Sequence, residues 1–486
     1  MRKTKIIATL SGYSDYERVK EMSSFFDCVR INLSHGTEAE YEKVVKYVRT
    51  IEKETGRYIP VLFDLSGPKI RVKALEDVIQ VKKGDRLFFS KNGDNTKKRI
   101  ISVNFSEIID HLKEGHRVYI DDGKIRFKVT ECGSLGCELL AVTDGVIKKN
   151  KGVNFPDTEL PLPSLTDKDL SDISILKKLG GDYVALSFVR QKKDIEELKN
   201  ILAEKGLNIP VIAKIERPEV LKRLSDIFDV ADGVMVARGD LGVEVSLEKV
   251  PLYQKKIIEM GRENGKPVIV ATQILETMVE KPEPTRAEVS DIANAIIDGC
   301  DALMLSGETA YGSYPVQSLS MLDTVARETE RYMQRYDRDF LPSDYKFLRG
   351  DTTSAIAYAA FSAERSLKAK AIVSFTATGH TASLISKFRA TCPVIAASFS
   401  EETLRRVSLY FGVKPLLIKK GENTDEMLYE IEKALLKSQF KEGDLVVITI
   451  GLPVVGKGNT NMIKVHKLGG YLPFKEINLS KKNKNV

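Results

Sequence analysis

A chain of 486 residues with 75 Lys and Arg against 68 Asp and Glu, net charge +7, is too long for one ordinary core. Its charges are mixed throughout, with no basic stripe interleaved with aromatics, so anionic small molecules suit it better than nucleic acid, and the pure cluster SKKNKNV at 480–486 reads as a solvated tail. No apolar run reaches the length of a membrane span, and MRKTKIIATLSG passes from basic residues straight into a strand pattern, so no membrane partner and a cytoplasmic location are expected.

The five cysteines are Cys28, Cys132, Cys137, Cys300 and Cys392. Their only close pair, CGSLGC, has no second Cys or His pair at zinc-ligand spacing. All five are expected to be reduced thiols, mostly core residues.

In chain order, the first three elements are short apolar strands that end on polar residues: TKIIATLS, CVRINLSHG and IPVLFDLSG. A stretch of different texture follows, in which VIQVKKGDRLFF, GHRVYIDDGKIRFKVTE and ELLAVTDGVIKKNKG alternate and turn at Gly-Asp and Asp-Gly. This predicts a small all-β insertion after the third strand, hanging over the site as a lid. Five further strands resume the first pattern: YVALSFVR, PVIAKIER, GVMVARGDLG, PVIVATQIL and ALMLSGETA. Amphipathic stretches such as DIEELKNILAEKG separate them, the mark of parallel strands with helical crossovers. Eight such units predict a closed (β/α)8 TIM barrel. After a linker, RDFLPSDYKF, strands and helices alternate again from TTSAIAYAAFSAERSLKA to DLVVITIG, which predicts a C-terminal open α/β domain. The expected divisions are 1–69 and 162–340 for the barrel, 70–161 for the lid and 341–486 for the last domain.

In such a barrel the carboxyl ends of the strands carry the active site. The residues there are Arg30, Asn32 and Ser34; Asp64; Ser187; Lys214 and Glu216; Arg238 and Asp240; Thr272 and Gln273; Ser306 and Glu308. Spacing of two along a strand turns both members of a pair to one face, hence both toward the mouth. Glu216 and Asp240 offer hard oxygen ligands of the kind Mg2+ takes when it keeps waters and shares phosphate oxygens. Arg30 and Lys214 supply cations for a phosphoryl group in transfer. GDLG after a strand offers backbone amides to an anion, or is an ordinary turn.

At these residues the chain resembles the pyruvate kinase family. The stretches that carry the resemblance are VRINLSHG, FDLSGPKIR, KGVNFPDTELPLPSLTDKD, AKIERPE, ARGDLGVEV, ATQILETM with PTRAEVSDIANAIIDG, and LMLSGETAYGSYPV, in family order. The resemblance implies a glycolytic phosphotransferase that moves the phosphoryl group of phosphoenolpyruvate to ADP, giving pyruvate and ATP with Mg2+ or Mn2+. Lys214 would stabilise the charge in transfer, and Arg30 would contact the phosphoryl group. Glu216 and Asp240 would hold the metal. The amides of Gly239 and Asp240 and the hydroxyl of Thr272 would orient the substrate carboxylate. Thr272, Ser306 and Glu308 would line the face where the enolate is protonated, with bracing of the eighth strand as the main role expected of Ser306 and Glu308. Asn32, Ser34, His35 and Arg71 would lie on the nucleotide side, with helix capping as the other reading of His35. Where the family often carries a basic residue after the Arg of its SF(I/V)R motif, this chain has Gln191, so Lys192 or Lys193 is left to substitute.

The resemblance also implies a homotetramer and a phosphorylated effector or nucleotide at the last domain. Thr376, Thr378, Gly379 and Thr381 would cradle its anion, or simply cap a helix. GLPVVGKGNTNMIKV lacks the Trp and Arg of sugar-bisphosphate-regulated members. Asn32, Ser34, Asp64 and the carbonyl of Leu65 would match the family's K+ site, but Lys69 stands where potassium-dependent members carry Glu. A tethered ammonium there replaces the ion, so K+ is expected not to be required. The alternatives are another phosphoenolpyruvate or oxoacid barrel, which would lack the lid and the last domain, and an inactive effector-binding relative.

Overall fold

The structure is a computed structural model that describes residues 2–73, 78–91, 99–159, 162–335, 350–452 and 459–470. The expected linker RDFLPSDYKF, the basic tail SKKNKNV and part of GLPVVGKGNTNMIKV lie outside the described residues.

The eight apolar runs form eight parallel strands, Lys5–Leu10, Cys28–Asn32, Val61–Asp64, Tyr183–Leu186, Val211–Ile215, Gly233–Ala237, Val268–Ala271 and Ala302–Leu305. They close in sequence order, the first pairing with both the second and the eighth. Strands of Val, Ile, Leu and Ala suit a sheet that is buried on both faces. The crossover helices begin and end on sequence signals. Thr37, Thr166 and Thr285 each form a capping box with Glu40, Asp169 and Glu288, and those three helices close on Gly56, Gly180 and Gly299 in the left-handed region.

Two apolar layers result. The larger one lies between the strands and the helices. The smaller one fills the barrel itself, with Ile7, Leu62, Tyr183, Ile212, Met235 and Ile269 among its members. Leu409 of the C-terminal domain belongs to this inner cluster and is fully buried, so it plugs the N-terminal end of the barrel. Around it Tyr183 Oη donates to the carbonyl of Arg406 at 2.9 Å, and Lys387 Nζ meets Asp301 Oδ2 at 2.7 Å. Burial disfavours ionisation of Asp301, but Lys387 and Arg389 outweigh it and hold the carboxyl below its ordinary range.

The lid has its own core, running from Ile70 to Phe155, under a six-stranded sheet. Its central hairpin, Arg117–Ile120 and Ile125–Gly133, turns through Asp121, Asp122 and Gly123, all at positive φ. Asp-Asp-Gly suits that turn because Gly and Asp tolerate the left-handed region best. The next hairpin overturns one expectation: Cys132 and Cys137 are joined in a disulfide and are not free thiols. The physical reason is register, since the two residues stand directly opposite each other on adjacent antiparallel strands. Cys28, Cys300 and Cys392 are free.

The C-terminal domain is an open five-stranded sheet in the order Val413–Leu417, Val394–Ser398, Ala371–Phe375, Leu445–Ile450, Met462–Lys467, with only the last strand antiparallel. Helices cover both of its faces, giving two apolar clusters.

Because Leu409 joins the last domain to the barrel interior, Leu409→Ala is expected to cost about 3 kcal/mol. Urea unfolding followed by circular dichroism checks this, and a loss under about 1 kcal/mol contradicts the plug.

Candidate active site

The mouth of the barrel is organised around one carboxylate. Asp64 closes the third strand and is almost fully buried. Its Oδ2 accepts from Arg30 Nε at 2.8 Å and Nη2 at 2.6 Å, while Lys214 Nζ lies 3.2 Å from its Oδ1. Register brings them together, since strand two is paired with strand three at Arg30 and Leu62 and at Asn32 and Asp64. Thr9 Oγ1 accepts from Arg30 Nη1 at 3.2 Å.

Lys214 also meets Glu216 Oε1 at 2.9 Å and Ser187 Oγ at 2.8 Å. Burial opposes charge on this lysine, but Asp64 and Glu216 outweigh it and raise its pKa above the ordinary lysine value. It is therefore a fixed cation at neutral pH. Burial likewise opposes charge on Asp64, and Lys214 and Arg30 overcome it, keeping that carboxyl below its usual range.

Glu216 is fully buried, with Oε2 accepting from the amide of Phe188 at 2.8 Å. Phe188 reaches that position at φ +55°, a conformation a bulky residue adopts only under constraint. Burial raises the Glu216 carboxyl, Lys214 pulls it down and Asp240 pushes it up again. Two carboxylates that repel each other at the mouth, both hard oxygen donors, fit a divalent cation. Among the described residues no group of three or more His, Cys, Asp or Glu side chains gathers as a metal site.

GDLG proves to be the start of a short helix, Arg238–Glu244. The Gly239 amide donates to Thr272 Oγ1 at 2.7 Å, and that hydroxyl donates to the carbonyl of Ala271 at 2.6 Å. Thr272 and Gln273 both hold positive φ, at +66° and +52°, which re-aims their side chains where strand seven ends. Glu308 is fully buried and accepts from the amides of Leu275 and Ser306, the bracing geometry.

The residues expected on the nucleotide side have their own local partners. Asn32 Oδ1 accepts from the amide of Ser34 at 3.1 Å, and Arg71 Nη1 donates to the carbonyl of Asn150 at 3.0 Å. Burial lowers the His35 pKa, and Arg71, Lys69 and Arg30 lower it further, so His35 is neutral in a field of cations. Gln191 serves as the cap residue of the helix Lys192–Glu204, placing Lys192 and Lys193 in its first turn. Lys69 does not contact Asp64: its ammonium lies 3.7 Å from Asp240 Oδ1. The carbonyl of Leu65 accepts from Ser187 Oγ at 2.7 Å. In the last domain Thr376 Oγ1 accepts from the Gly379 amide at 2.8 Å, the Thr378 hydroxyl accepts from His380, and Thr381 pairs with Thr460.

An open cleft of about 720 Å³ lies between lid and barrel, lined by Lys69, Gly239, Asp240 and Gln273 below and by Tyr119 and Arg126 above. The barrel-domain model of the pyruvate kinase family matches residues 1–319, and that family's alpha/beta-domain model matches residues 354–466. The chain is 40% identical to the pyruvate kinase of Sporosarcina psychrophila over 479 residues, 97% of this chain and 81% of the relative. It is 39% identical to that of Geobacillus stearothermophilus over 97% of this chain and 81% of the relative, and 38% identical to that of Staphylococcus aureus over 96% and 81%.

The chain belongs to the pyruvate kinase family. It is a phosphotransferase, and the family implies use of a divalent metal. Among the described residues no helix is long and apolar enough to cross a membrane. Sequence reasoning gave Ser187 no specific partner at this mouth and did not single out Phe188. Ser187 did stand among the strand-end residues, whereas nothing in the sequence marks the backbone amide of Phe188 as a donor to Glu216.

Asp64→Asn leaves Arg30 and Lys214 without their shared carboxylate, and is expected to cost about 3 kcal/mol by urea unfolding. The sign with pH follows from the lowered carboxyl: its contribution is full above about pH 4 and is lost as pH falls through the lowered value. The stability gap between wild type and Asp64→Asn is therefore expected to narrow in acid. A gap that stays constant from pH 7 down to the acid transition contradicts this.

Proposed function

We propose that this mouth transfers the phosphoryl group of phosphoenolpyruvate to ADP, giving pyruvate and ATP. The observation that carries the reading is the buried array in which Asp64 holds Arg30 and Lys214 side by side, with Glu216 against the same lysine. Phosphoryl transfer is mainly positioning and charge neutralisation, and fixed cations in a dry site do both.

Lys214 neutralises the phosphoryl group as it leaves and then the oxygen that keeps the electron pair, which becomes the enolate. Arg30 grips the phosphoryl oxygens, turning its remaining donors outward from Asp64. The amides of Gly239 and Asp240 and the hydroxyl of Thr272 receive the carboxylate, which displaces the Gly239 to Thr272 hydrogen bond. Thr272 also borders the face where the enolate takes its proton. Glu216 and Asp240 would hold Mg2+ or Mn2+, which would supply positive charge against the substrate's anionic oxygens. ADP approaches on the side of Asn32, Ser34, His35 and Arg71, and the cations that depress the His35 pKa favour its phosphates there. Lys192 or Lys193 adds to that field.

Lys69 takes the place of K+ in this reading, with Asn32, Ser34, Asp64 and Leu65 as the residues of the vacated ion site. Its support is charge: a tethered ammonium already stands at the mouth, beside Asp240. Thr376, Thr378, Gly379 and Thr381 are proposed to receive a phosphorylated effector, and the chain is read as a cytoplasmic homotetramer.

Pyruvate formation from phosphoenolpyruvate and ADP, with Mg2+ or Mn2+, tests the reaction, and absence of turnover overturns it. Lys214→Gln is expected to lower kcat roughly a hundredfold to a thousandfold with the circular dichroism spectrum retained. In sodium- and potassium-free buffer the unmodified protein is expected to be nearly as active as with K+ added, whereas Lys69→Glu should acquire a potassium requirement. Strong activation of the unmodified protein by K+ defeats the Lys69 assignment.

A further inference from the structure

Arg238 directly follows the sixth barrel strand, is buried and lines the cleft, yet its guanidinium has no donor to spare for a ligand. Nε and Nη2 donate to the carbonyl of Thr272 at 3.2 and 2.8 Å, and Nη2 donates also to the carbonyl of Gln273 at 2.7 Å. Nη1 meets Asp291 Oδ2 on the helix Arg286–Asp298 and, at 3.4 Å, Gln254 Oε1 on the helix Val250–Glu263. All five N–H groups of the guanidinium are thereby engaged within the protein. Arg238 grips the protein, not the substrate.

The two carbonyls it holds belong to consecutive residues at positive φ, Thr272 at +66° and Gln273 at +52°. Neither is glycine, so the turn is strained and persists only where its surroundings over-determine it. A planar fork suits two adjacent carbonyls, and bonds from a charged donor are the stronger kind. The amide of the next residue, Gly239, donates to Thr272 Oγ1 at 2.7 Å, so the start of the helix Arg238–Glu244 holds Thr272 by carbonyl and hydroxyl at once. That hydroxyl also donates to the carbonyl of Ala271 at 2.6 Å. Both bonds of the hydroxyl are given up when it turns to a substrate carboxylate. The grip of Arg238 on the two carbonyls is not, and it keeps the turn in place.

We infer that Arg238 is a positioning residue that clamps the Thr272–Gln273 turn and so aims the Thr272 hydroxyl into the mouth. The inference rests on the phosphotransfer reading, in which Thr272 receives the carboxylate and borders the face where the enolate takes its proton. Asp291 is secondary: its side chain is 38% exposed, and an ion pair that reaches the surface contributes little. The clamp is the buried fork on two carbonyls. A lysine in its place keeps the charge for Asp291 but presents no planar fork.

The test uses the full chain with phosphoenolpyruvate, ADP and Mn2+. Arg238→Lys keeps the charge without the fork, and Asp291→Asn keeps the fork without the ion pair. Thr272→Val removes the hydroxyl, alone and combined with Arg238→Lys. Steady-state kinetics, and hydrogen–deuterium exchange over residues 271–277, are measured on each. Arg238→Lys is expected to lower kcat roughly tenfold to a hundredfold, the scale of a lost hydrogen bond from a charged donor, and to speed exchange at 271–277. Asp291→Asn should stay within about twofold in kcat. With the hydroxyl gone nothing is left to aim, so adding Arg238→Lys to Thr272→Val should lower kcat by less than about threefold further. Losses that multiply in the double variant overturn the inference, as does a loss of about tenfold or more in Asp291→Asn. Kinetics and exchange of Arg238→Lys within about twofold of the unmodified protein also overturn it. Absence of turnover in the unmodified protein overturns the phosphotransfer reading instead, and the exchange comparison still decides whether the fork holds the turn.

Discussion

Arg30 and Lys214 share the carboxylate of Asp64 at the centre of the barrel mouth, and the rest of the site is arranged around that pairing. Two cations so placed are costly to bury, and a single anion between them makes the burial tolerable. The strands deliver this arrangement because they are parallel and in register, so that residues closing neighbouring strands stand side by side. Glu216 then completes a line of alternating charges, and its second oxygen is fixed by the amide of Phe188. A phosphoryl group meets preset charge there, with little reorganisation left to do.

The barrel is held at both ends by other domains. At the N-terminal end Leu409 enters the inner cluster, ringed by the Lys387–Asp301 pair and the Tyr183 hydrogen bond. At the C-terminal end the lid is rooted on the helix Arg238–Glu244, through Lys69, Asn154 and the turn at Gly123. The helix that bears Asp240 is thus both a floor of the cleft and a seat for the lid. That double duty explains why so short a helix carries two acidic side chains on one face.

The backbone contributes as directly as the side chains. Phe188, Thr272 and Gln273 all hold positive φ at the ends of barrel strands, and each borders the mouth. Such conformations persist only where the surrounding packing over-determines them, and here the packing is the close contact of adjacent strand ends.

The barrel, its eight strands, the β lid and the open α/β domain were all legible in the sequence, because periodicity and turn residues report which faces are buried. So were Arg30, Asp64, Lys214, Glu216 and Asp240, since a charged side chain that closes an apolar barrel strand stands at the mouth of the barrel. The Thr-x-x-Glu and Thr-x-x-Asp starts and the glycine stops of three crossover helices are local signals too, although helix limits were not among the expectations. Which charge pairs with which was not legible. Lys69 lies 3.7 Å from Asp240, a partner that nothing in the sequence marked. Cys132 and Cys137 read as unrelated thiols until the hairpin register set them opposite each other. Asn154, Arg217 and Glu244 meet across 90 residues of chain, a contact that depends on how the lid docks. Sequence patterns encode local burial, one strand or helix at a time; partnerships between charges arise only when separate elements pack, since distance in space is what fixes electrostatic energy.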